Sequence, residues 1–390
     1  MTEIPDGGAM AQRILMLSTG LVSRGHEVQV IVPYRFVPGP LAEELDGVKV
    51  HWGASVQRPV ANSWLAKLRK RYLLVKVARQ LAQQGLDWII LYGLGMDGLP
   101  FLPLARRYGV SLASDICDQP SFSDAKVTIT DLFLIISWKF GHWLVTPKLQ
   151  LNIAISRYLK NILTRVAPEV PVVIIPAPVD TRKYKTHRRA AQKFREKIGL
   201  GNSIVLGYFG STWGVKGLTV FLEAAAQLRR QGKEFRLLIT GDLSQNRGIL
   251  KLLEDLHLMD WAILPGFLPK SELLTVMSAA DILIEPKIVH VANEAAFPQK
   301  LAEYLALGKA IVASAVGDIP RFLTHGQNAL LCQAGDPAAL AQEIETLIDN
   351  AELRQKLGLQ ARETAVHYFD STILAKQLES AFYEVGEKQN

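Results

Sequence analysis

The feature that most constrains the fold of this chain is a repeated alternation of short apolar runs with helical stretches. Strands without polar alternation are buried on both faces, and helices between them imply a parallel sheet. The sequence therefore predicts an α/β fold that is built twice. The apolar runs are residues 28–32, 88–91, 110–113, 153–155, 172–175, 204–207, 235–239, 282–284 and 310–313, and the clearest helical stretches are residues 10–24, 219–231, 271–279, 299–307 and 337–349.

A change in composition near the middle of the chain predicts a domain boundary. Pro176 and Pro178 end the first series of strands, and a basic polar stretch over residues 181–197 precedes the next one. We therefore expect an amino-terminal domain over residues 1–180 and a carboxy-terminal domain over residues 181–370. A last helix over residues 371–390 can pack on either half, and joining the amino-terminal domain is one option.

Composition excludes several classes of protein. The two cysteines among 390 residues, Cys117 and Cys332, lie far apart, which argues against a disulfide scaffold or a zinc ribbon. The chain shows neither a secretory signal nor an uncharged apolar stretch of about 18–20 residues. We expect a cytoplasmic chain, either free or bound peripherally on the inner face of the membrane.

The net charge of +7 is concentrated in one segment. Between Asp46 and Asp87 the chain carries eight basic residues and no acidic one. Within it, residues 64–81 form a basic helix whose apolar residues follow helical spacing, which suits an anionic membrane surface. The alternative is an ordinary helix whose apolar face packs on the sheet. No nucleic-acid-binding module is recognisable, so nucleic acid is not an expected partner. The apolar positions are Leu65, Leu68, Tyr72, Val75 and Leu81.

Two segments of the second half carry the candidate chemistry. Residues 207–217 leave a strand, pass through glycines and reach Lys216 before a helix, an arrangement that suits an anion. The alternative is a packing turn with a solvated lysine. In residues 298–309, Pro298 starts a helix and Gly308 ends it. Glu303 of this helix offers two acceptors for adjacent hydroxyls, or is a plain surface glutamate.

Together these segments resemble the retaining GT-B glycosyltransferases of the GT4-type family, also called glycosyl transferases group 1. The shared order spans residues 203–370. The first half is similar more loosely, through Gly7-Gly8 and residues 24–28, 153–156 and 175–180. The motifs of the second half are Lys216-Gly217, Gly241-Asp242, Gly266-Phe267, Ala280-Asp281, Pro298 to Glu303-Tyr304, Gly308, Gly317 to Pro320 and His325 to Asn328.

The resemblance implies two Rossmann-like domains facing each other across a cleft, with a nucleotide-sugar donor on the second. It implies that Glu303 binds the ribose, and that Phe267 and Leu268 lie beside the base. The catalytic residues it implies are Glu294 and Lys216. The residues implied to bind the donor are Gly8, Ser211, Thr212, Lys216, Pro298, Lys300 and Leu301. In the family, the glycine turn at Gly8 packs against the donor phosphates or the acceptor.

The chain departs from the family pattern at four places. The strand that normally precedes the Gly7-Gly8 turn is short or missing, because only residues 1–5 come before it. The first of two paired glutamates would fall on Ala295, and Glu294 is displaced by one. Ser211 and Gly210 stand where an arginine is usual. Cys117 lies where a histidine is usual.

We therefore predict a retaining glycosyltransferase with a nucleotide-diphosphate sugar as donor and a sugar or lipid-linked acceptor. Such a role belongs to polysaccharide or glycolipid biosynthesis. Two alternatives remain, namely a non-catalytic binder of sugar nucleotides and a nucleotide-sugar epimerase on the same fold. The acidic pair Glu44 and Asp46 reads as a solvated turn, so neither a metal nor another cofactor is expected.

Overall fold

The structure is a computed structural model that describes residues 8–36, 40–56, 64–93, 95–119, 129–210, 217–241, 243 and 246–387. It divides into two compact units. Unit 1 holds residues 1–178 and 371–390, and unit 2 holds residues 179–370. The last helix therefore belongs to unit 1.

Unit 1 contains two separate sheets. The first has the strand order β1-β3-β2, in which β1 and β3 are parallel and β2 is antiparallel to β3; the second is parallel throughout, with the order β4-β5-β6-β7. Its elements before the boundary are α1 (Ala9–Val22), β1 (Gln29–Arg35), β2 (Ala42–Leu45), β3 (Val48–Ser55), α2 (Trp64–Ala82), β4 (Trp88–Tyr92), α3 (Phe101–Tyr108), β5 (Ser111–Ile116), α4 (Ile129–Val145), β6 (Leu151–Ala154), α5 (Arg157–Val166) and β7 (Val172–Ile174).

Unit 2 is built on a six-stranded parallel sheet with the order β10-β9-β8-β11-β12-β13. Its elements are α6 (Arg188–Lys197), β8 (Val205–Phe209), α7 (Leu218–Arg230), β9 (Arg236–Thr240), α8 (Arg247–Asp255), β10 (Ala262–Gly266), α9 (Lys270–Ser278), β11 (Ile282–Glu285), α10 (Val291–Ala295), α11 (Gln299–Leu307), β12 (Ala310–Ser314), α12 (Ile319–Phe322), β13 (Leu330–Cys332), α13 (Pro337–Asp349) and α14 (Ala351–Tyr368). Counted from its own first strand, this is the doubly wound order 3-2-1-4-5-6.

The last helix, α15 (Ser371–Glu387), packs against α1. The two helices approach closely at Gly20, where an added Cβ would lie 2.6 Å from the carbonyl oxygen of Ser371. Glu379 of α15 also forms an ion pair with Arg24 and a hydrogen bond with His26 Nε2 at 2.8 Å. These contacts attach the end of the chain to unit 1.

The prediction of an α/β fold is confirmed, with one correction in unit 1. The sequence predicted a turn at Glu44 and Asp46, whereas Glu44 lies in the antiparallel strand β2. Asp46 and Gly47 form the turn between β2 and β3, and both have positive φ angles. Among the described residues, no helix has the length and apolar composition needed to cross a membrane.

Candidate functional site

The candidate site lies where β8 and β11 run side by side in unit 2. In a sheet of this order, the chain leaves these two strands in opposite directions, and a crevice opens at their carboxyl ends. Gly210 follows β8, and Glu285 is the last residue of β11. This crevice is the part of the sheet at which doubly wound folds bind their ligands.

Glycine is required where the turn after β8 enters α7. Gly217 has a φ of +74°, and an added Cβ there would lie 1.6 Å from the carbonyl oxygen of Pro286, which follows β11. No side chain can occupy that position without displacing the backbone. The entry to α7 is therefore packed directly against the end of β11.

Three charged side chains meet at the carboxyl end of β11. Glu285 is fully buried, and its two carboxylate oxygens lie 3.2 Å from Lys287 Nζ and 3.1 Å from Lys300 Nζ. Burial raises the pKa of Glu285, but the two lysines outweigh it and hold that pKa below its ordinary value. The cluster carries one positive charge more than it carries negative charge.

Lys300 is held beside Gly210, where the segment between Gly210 and Gly217, called the glycine turn below, begins. Its Nζ lies 3.9 Å from the centre of the Tyr208 ring, and its Cδ would be 3.6 Å from a Cβ on Gly210. Neither Lys300 Nζ nor either Glu285 oxygen makes a well-aligned hydrogen bond, although all three atoms are buried. This ammonium group can therefore donate a hydrogen bond to an anionic ligand in the crevice.

Helix α11 is fixed to the end of β8 by Tyr304. The buried Tyr304 hydroxyl accepts a hydrogen bond from the Phe209 N–H at 2.9 Å and donates one to the Phe209 carbonyl at 3.3 Å. Phe209 immediately precedes Gly210, so the turn starts from a position set by α11. Pro298 stands directly before the first turn of α11, at the end of the helix that favours anions.

Glu303 lies inside unit 2 on the same helix. It is 9% exposed, and the Tyr184 hydroxyl donates to its Oε1 at 3.5 Å. Burial, followed by the charge of Glu303, raises the pKa of Tyr184. A buried carboxylate with a hydroxyl donor is a positioned acceptor and not a solvated surface group.

The other predicted site residues are spread around this crevice or lie elsewhere. Phe267 follows β10 at the edge of the sheet and is 80% exposed, and Leu268 beside it is half-buried. Lys300 and Leu301 lie in the first turn of α11, where Leu301 is buried. Gly8 precedes α1 in unit 1. The predicted residues Ser211, Thr212 and Lys216 lie outside the described residues.

Glu294 is half-buried in the short helix α10. The loop at Gly317 packs against it, since a Cβ on Gly317 would lie 2.8 Å from the carbonyl oxygen of Asn293 and 3.2 Å from that of Glu294. His290 caps α10, because its Nδ1 accepts a hydrogen bond from the Ala292 N–H at 3.1 Å. The backbone around Glu294 is thus held from both sides.

Several residues of the crevice were not among the predicted site residues. Glu285 and Lys287 belong to the charged cluster. Tyr184 donates to the predicted residue Glu303, and the ring of Tyr208 lies against the predicted residue Lys300. Tyr304 fixes Phe209, the last residue of β8. A signal for Glu285 was present, because a carboxylate at the end of an apolar run marks the carboxyl end of a strand. Nothing in the sequence paired it with a lysine fifteen residues later.

Unit 1 contains a second buried charge pair. Arg13 of α1 donates to both oxygens of Asp115 at 2.8 and 3.0 Å and to the Pro176 carbonyl at 2.8 Å. Cys117, which stands where the family has a histidine, donates to Asp115 at 3.5 Å, and burial raises its pKa. A thiol held protonated in this way is a poor nucleophile. No metal-binding group of three or more suitable side chains occurs within the described ranges.

Comparison with known families covers both halves of the chain. Residues 190–364 match the family described as Glycosyl transferases group 1, and residues 7–183 match Glycosyltransferase Family 4. N-acetyl-alpha-D-glucosaminyl L-malate synthase of Bacillus anthracis is 27% identical over 208 residues, which are 53% of this chain and 52% of that protein. The putative colanic acid biosynthesis glycosyltransferase WcaL of Escherichia coli K12 is 30% identical over 42% of this chain and 41% of its own. The chain thus spans about half the length of the curated relatives it matches.

Solved structures are similar over nearly the whole chain. Sucrose-phosphate synthase from Thermosynechococcus elongatus has a TM-score of 0.78 at 18% identity and covers 98% of this chain and 94% of its own. Alr3699/HepE from Anabaena, solved in complex with UDP and glucose, has a TM-score of 0.74 at 19% identity and covers 98% of each chain. At this level of identity the similarity establishes the fold. The two family matches, over residues 7–183 and 190–364, show that the chain belongs to the group 1 (GT4-type) glycosyltransferases, whose fold is GT-B.

Proposed function

We propose that this protein transfers a sugar from a nucleotide-diphosphate donor to an acceptor hydroxyl, with retention at the anomeric carbon. The observation that carries the proposal is the crevice between β8 and β11, where the glycine turn, Lys300 and the start of α11 meet beside a buried cationic cluster. A diphosphate requires positive charge and backbone N–H donors at one place, and this crevice supplies both.

We assign the parts of the donor to the elements around the crevice. We place its diphosphate between Gly210 and the first turn of α11, near Lys300, and we assign Ser211, Thr212 and Lys216 as further contacts to it. Glu303 accepts hydrogen bonds from the two ribose hydroxyls, and Phe267 and Leu268 lie beside the base. The neighbour solved with UDP and with UDP-glucose makes UDP the first ligand and UDP-glucose the first donor to test.

The reaction needs no protein nucleophile. The bond between the anomeric carbon and the diphosphate oxygen breaks, and a bond to the acceptor oxygen forms on the same face of the sugar. The acceptor proton passes to the leaving diphosphate. Lys216 and Lys300 stabilise the negative charge that grows on the leaving group, which favours the transition state over the bound donor. We assign Glu294 to the donor sugar.

The test is release of nucleoside diphosphate from a panel of nucleotide sugars, with and without sugar and lipid-linked acceptors. The proposal expects release that depends on the acceptor and an α-linked product from an α-linked donor, which NMR identifies. Release with no dependence on the acceptor, or an inverted product, would contradict it. Binding without release would instead indicate a non-catalytic binder, and interconversion of donors without an acceptor would indicate an epimerase.

We also propose that transfer proceeds without a metal ion, because lysines and a helix start supply the positive charge that a metal would otherwise give the diphosphate. Activity after dialysis against EDTA is expected to equal the untreated activity. Loss of activity that Mg²⁺ or Mn²⁺ restores would contradict this assignment.

We propose an anionic membrane surface as a further partner, through helices α2 and α4 of unit 1. The predicted apolar face of α2 divides: Leu81 is buried, as is Leu73 beside it, whereas Leu65, Leu68 and Tyr72 face solvent. A second exposed apolar stripe runs along α4. The seven exposed side chains are between 47% and 66% accessible: Leu65, Leu68, Tyr72, Leu132, Ile136, Phe140 and Trp143.

Both helices contact the same short segment of unit 1, residues 95–97. Arg71 of α2 forms an ion pair with Asp97, and Gly141 of α4 packs on the backbone of Gly95 and Met96. Basic residues on α2 and exposed aromatic side chains on α4 are the combination that binds the interface of an anionic bilayer.

Co-sedimentation with vesicles of anionic and of neutral lipid tests this partner. Binding is expected to anionic vesicles only and should fall with salt. Neutralising Lys67, Arg69, Lys70 and Arg71 should weaken it about 1000-fold, because four charges at about 1 kcal/mol each contribute about 4 kcal/mol. The variant with Phe140→Ser and Trp143→Ser should also lose binding. Unchanged binding in both variants would contradict the proposal.

A further inference from the structure

A second basic segment of the chain covers residues 181–197, at the start of unit 2. It contains eight basic residues and one acidic residue, Glu196. Arg182 pairs with Asp180, and Arg195 pairs with Asp281. Five further basic side chains are exposed, and none of them forms an ion pair with any residue that the structure describes: Lys185, Arg188, Arg189, Lys193 and Lys197.

Helix α6, which carries most of this segment, lies along the amino ends of the strands of unit 2. Arg195 donates to the Ala279 carbonyl at 2.8 Å and to Asp281 at 3.1 Å, directly before β11. Before the helix begins, the Thr186 hydroxyl donates to the Leu307 carbonyl at 2.6 Å, directly before β12. The donor crevice opens at the carboxyl ends of the same sheet, so α6 lies at the opposite edge.

Three of the exposed cations form one row along α6. Arg189, Lys193 and Lys197 are four residues apart, so they follow one another on one side of the helix, about 6 Å further along its axis at each step. The single acid of the segment, Glu196, accepts a hydrogen bond from the Gln192 amide at 3.1 Å. It therefore does not neutralise the row, which is referred to below as the cationic row.

The charges of this row oppose the local fold. Arg188 and Arg189 lie in the first turn of α6, at the end of a helix that favours anions, and that turn holds no acidic residue. Like charges four residues apart also repel each other. Burial lowers the pKa of Lys309, and the charges of Arg195 and Arg188 lower it further, against the opposing effect of Asp281. A pattern that opposes the local fold in this way is the kind that occurs at functional surfaces.

The surface of α6 suits an anion that lies along it and inserts nothing into it. The larger apolar residues Phe194 and Ile198 are half-buried, and α6 has no other aromatic residue. Helices that bind a bilayer insert exposed apolar side chains, and proteins that bind single-stranded nucleic acids stack the bases on aromatic rings. Neither feature occurs on α6, and a single row of cations suits a linear polymer better than a plane.

We propose that the cationic row binds a linear sugar polymer that carries one carboxylate or phosphate on each sugar unit. The step of about 6 Å along the row is comparable to the length of one sugar unit, so successive anions of the polymer meet successive cations. Lys185 and Arg188 extend the positive charge at the amino end of the helix. That the polyanion is a sugar polymer rests on the proposed function, whereas the charge of the surface does not.

The test measures binding of fluorescently labelled polymers to the full chain by anisotropy, in the absence of a donor. The probes are polygalacturonate, phosphorylated dextran and, as the neutral control, dextran. The row variant carries Arg189→Gln, Lys193→Gln and Lys197→Gln. Its matched control removes the same charge at three exposed cations of α7, α8 and α14 that likewise form no ion pair with a described residue: Arg230→Gln, Lys251→Gln and Lys356→Gln.

The proposal expects one or both charged polymers to bind, dextran not to bind, and the affinity to fall as salt is added. The anion of the tighter polymer identifies the group that the row prefers. The row variant should bind at least about ten-fold more weakly, and the control variant should bind within about two-fold of the unmodified chain. Equal weakening in the two variants, or no binding of either charged polymer, would overturn the proposal.

The variant Glu196→Lys covers the case in which the row variant fails to fold. It adds a cation to the exposed side of α6 and should tighten binding at least about three-fold, and unchanged or weaker binding would overturn the proposal. A single-stranded oligonucleotide and anionic vesicles are measured in parallel. Binding of either that depends on the row and is tighter than that of both charged sugar polymers would also overturn it. Because no donor is present, absence of transfer activity changes none of these outcomes.

Discussion

Replacing Tyr304 by phenylalanine tests whether α11 sets the position of the glycine turn. The substitution keeps the ring and removes the hydroxyl, so two hydrogen bonds to Phe209 are lost, one at 2.9 Å and one at 3.3 Å. Leaving a buried backbone N–H without its partner costs about 1–3 kcal/mol. We take about 2 kcal/mol as the expected loss in the free energy of unfolding.

That loss converts into a measurable change in melting temperature. For a domain of 150–250 residues, 1 kcal/mol shifts the melting temperature by about 2–4 °C, so Tyr304→Phe should melt about 4–8 °C lower. A turn that has lost its anchor also binds the donor less well, and a loss of about 1 kcal/mol would raise the Kd for UDP about five-fold.

The assay is calorimetric unfolding with titration of UDP, and Tyr368→Phe serves as the matched control. Tyr368 lies in the same unit, is 46% exposed, and packs its ring edge-on against Phe322 at 5.6 Å, a contact that phenylalanine preserves. The control should melt within about 2 °C of the unmodified chain. Equal melting temperatures for Tyr304→Phe and the unmodified chain would refute the reasoning.

Three other perturbations have expected outcomes. Gly217→Ala should lower the free energy of unfolding by more than about 4 kcal/mol or abolish folding, because its Cβ would lie 1.6 Å from a carbonyl oxygen. The control Gly232→Ala, also at positive φ but with open space around it, should lower it by only about 1–2 kcal/mol in thermal unfolding. Burial lowers the pKa of His142 to about 4, so on acidification the unfolded chain takes up a proton at His142 before the folded chain does. The free energy of unfolding should therefore fall by roughly 2 kcal/mol from pH 7 to about pH 5 in urea titrations, and His142→Gln should remove this dependence on pH. Lys300→Met should destabilise unit 2 by removing a partner of the buried Glu285, and the added substitution Glu285→Gln should recover part of that loss; no recovery in denaturant unfolding would contradict the ion pair.

The sequence predicted the strands of unit 2 that are buried on both faces. Runs at residues 204–207, 235–239, 282–284 and 310–313 correspond within two residues to β8, β9, β11 and β12. A strand covered by helices on both faces of the sheet is apolar throughout. It can therefore be recognised in the sequence as a short, uninterrupted apolar run. Strands β10 and β13 were not predicted. β10 is half-buried throughout and contains Pro265, and β13 consists of leucines and a cysteine without a β-branched residue.

Unit 1 was harder to predict because its first sheet is partly exposed. β3 alternates buried and exposed residues, and β2 is mostly exposed, so neither forms an apolar run. The signal that was available is the Asp46-Gly47 turn, since this dipeptide is typical of two-residue hairpins. The division of the apolar residues of α2 also depends on packing, which periodicity alone does not determine.

The site was predictable where one helix carries its residues and not where the sheet brings them together. Pro298, Lys300 and Glu303 lie in or next to α11, so their spacing on the chain was informative. Glu285 and Lys287 join that group only because β11 lies next to β8. Strand order is a property of the fold, and the sequence predicted helices and strands without that order.

The measurement that tests the central claim most directly is the affinity of the unmodified chain and of two variants for UDP-glucose and the other nucleotide sugars, by isothermal titration. Lys216→Ala and Glu303→Ala each remove one charged contact worth about 1.5–3 kcal/mol, so each should weaken binding of the preferred donor at least about ten-fold. Glu272→Ala, on α9, is the control and should bind as the unmodified chain does. Unchanged affinity in both site variants would contradict the assignment of this crevice as the donor site.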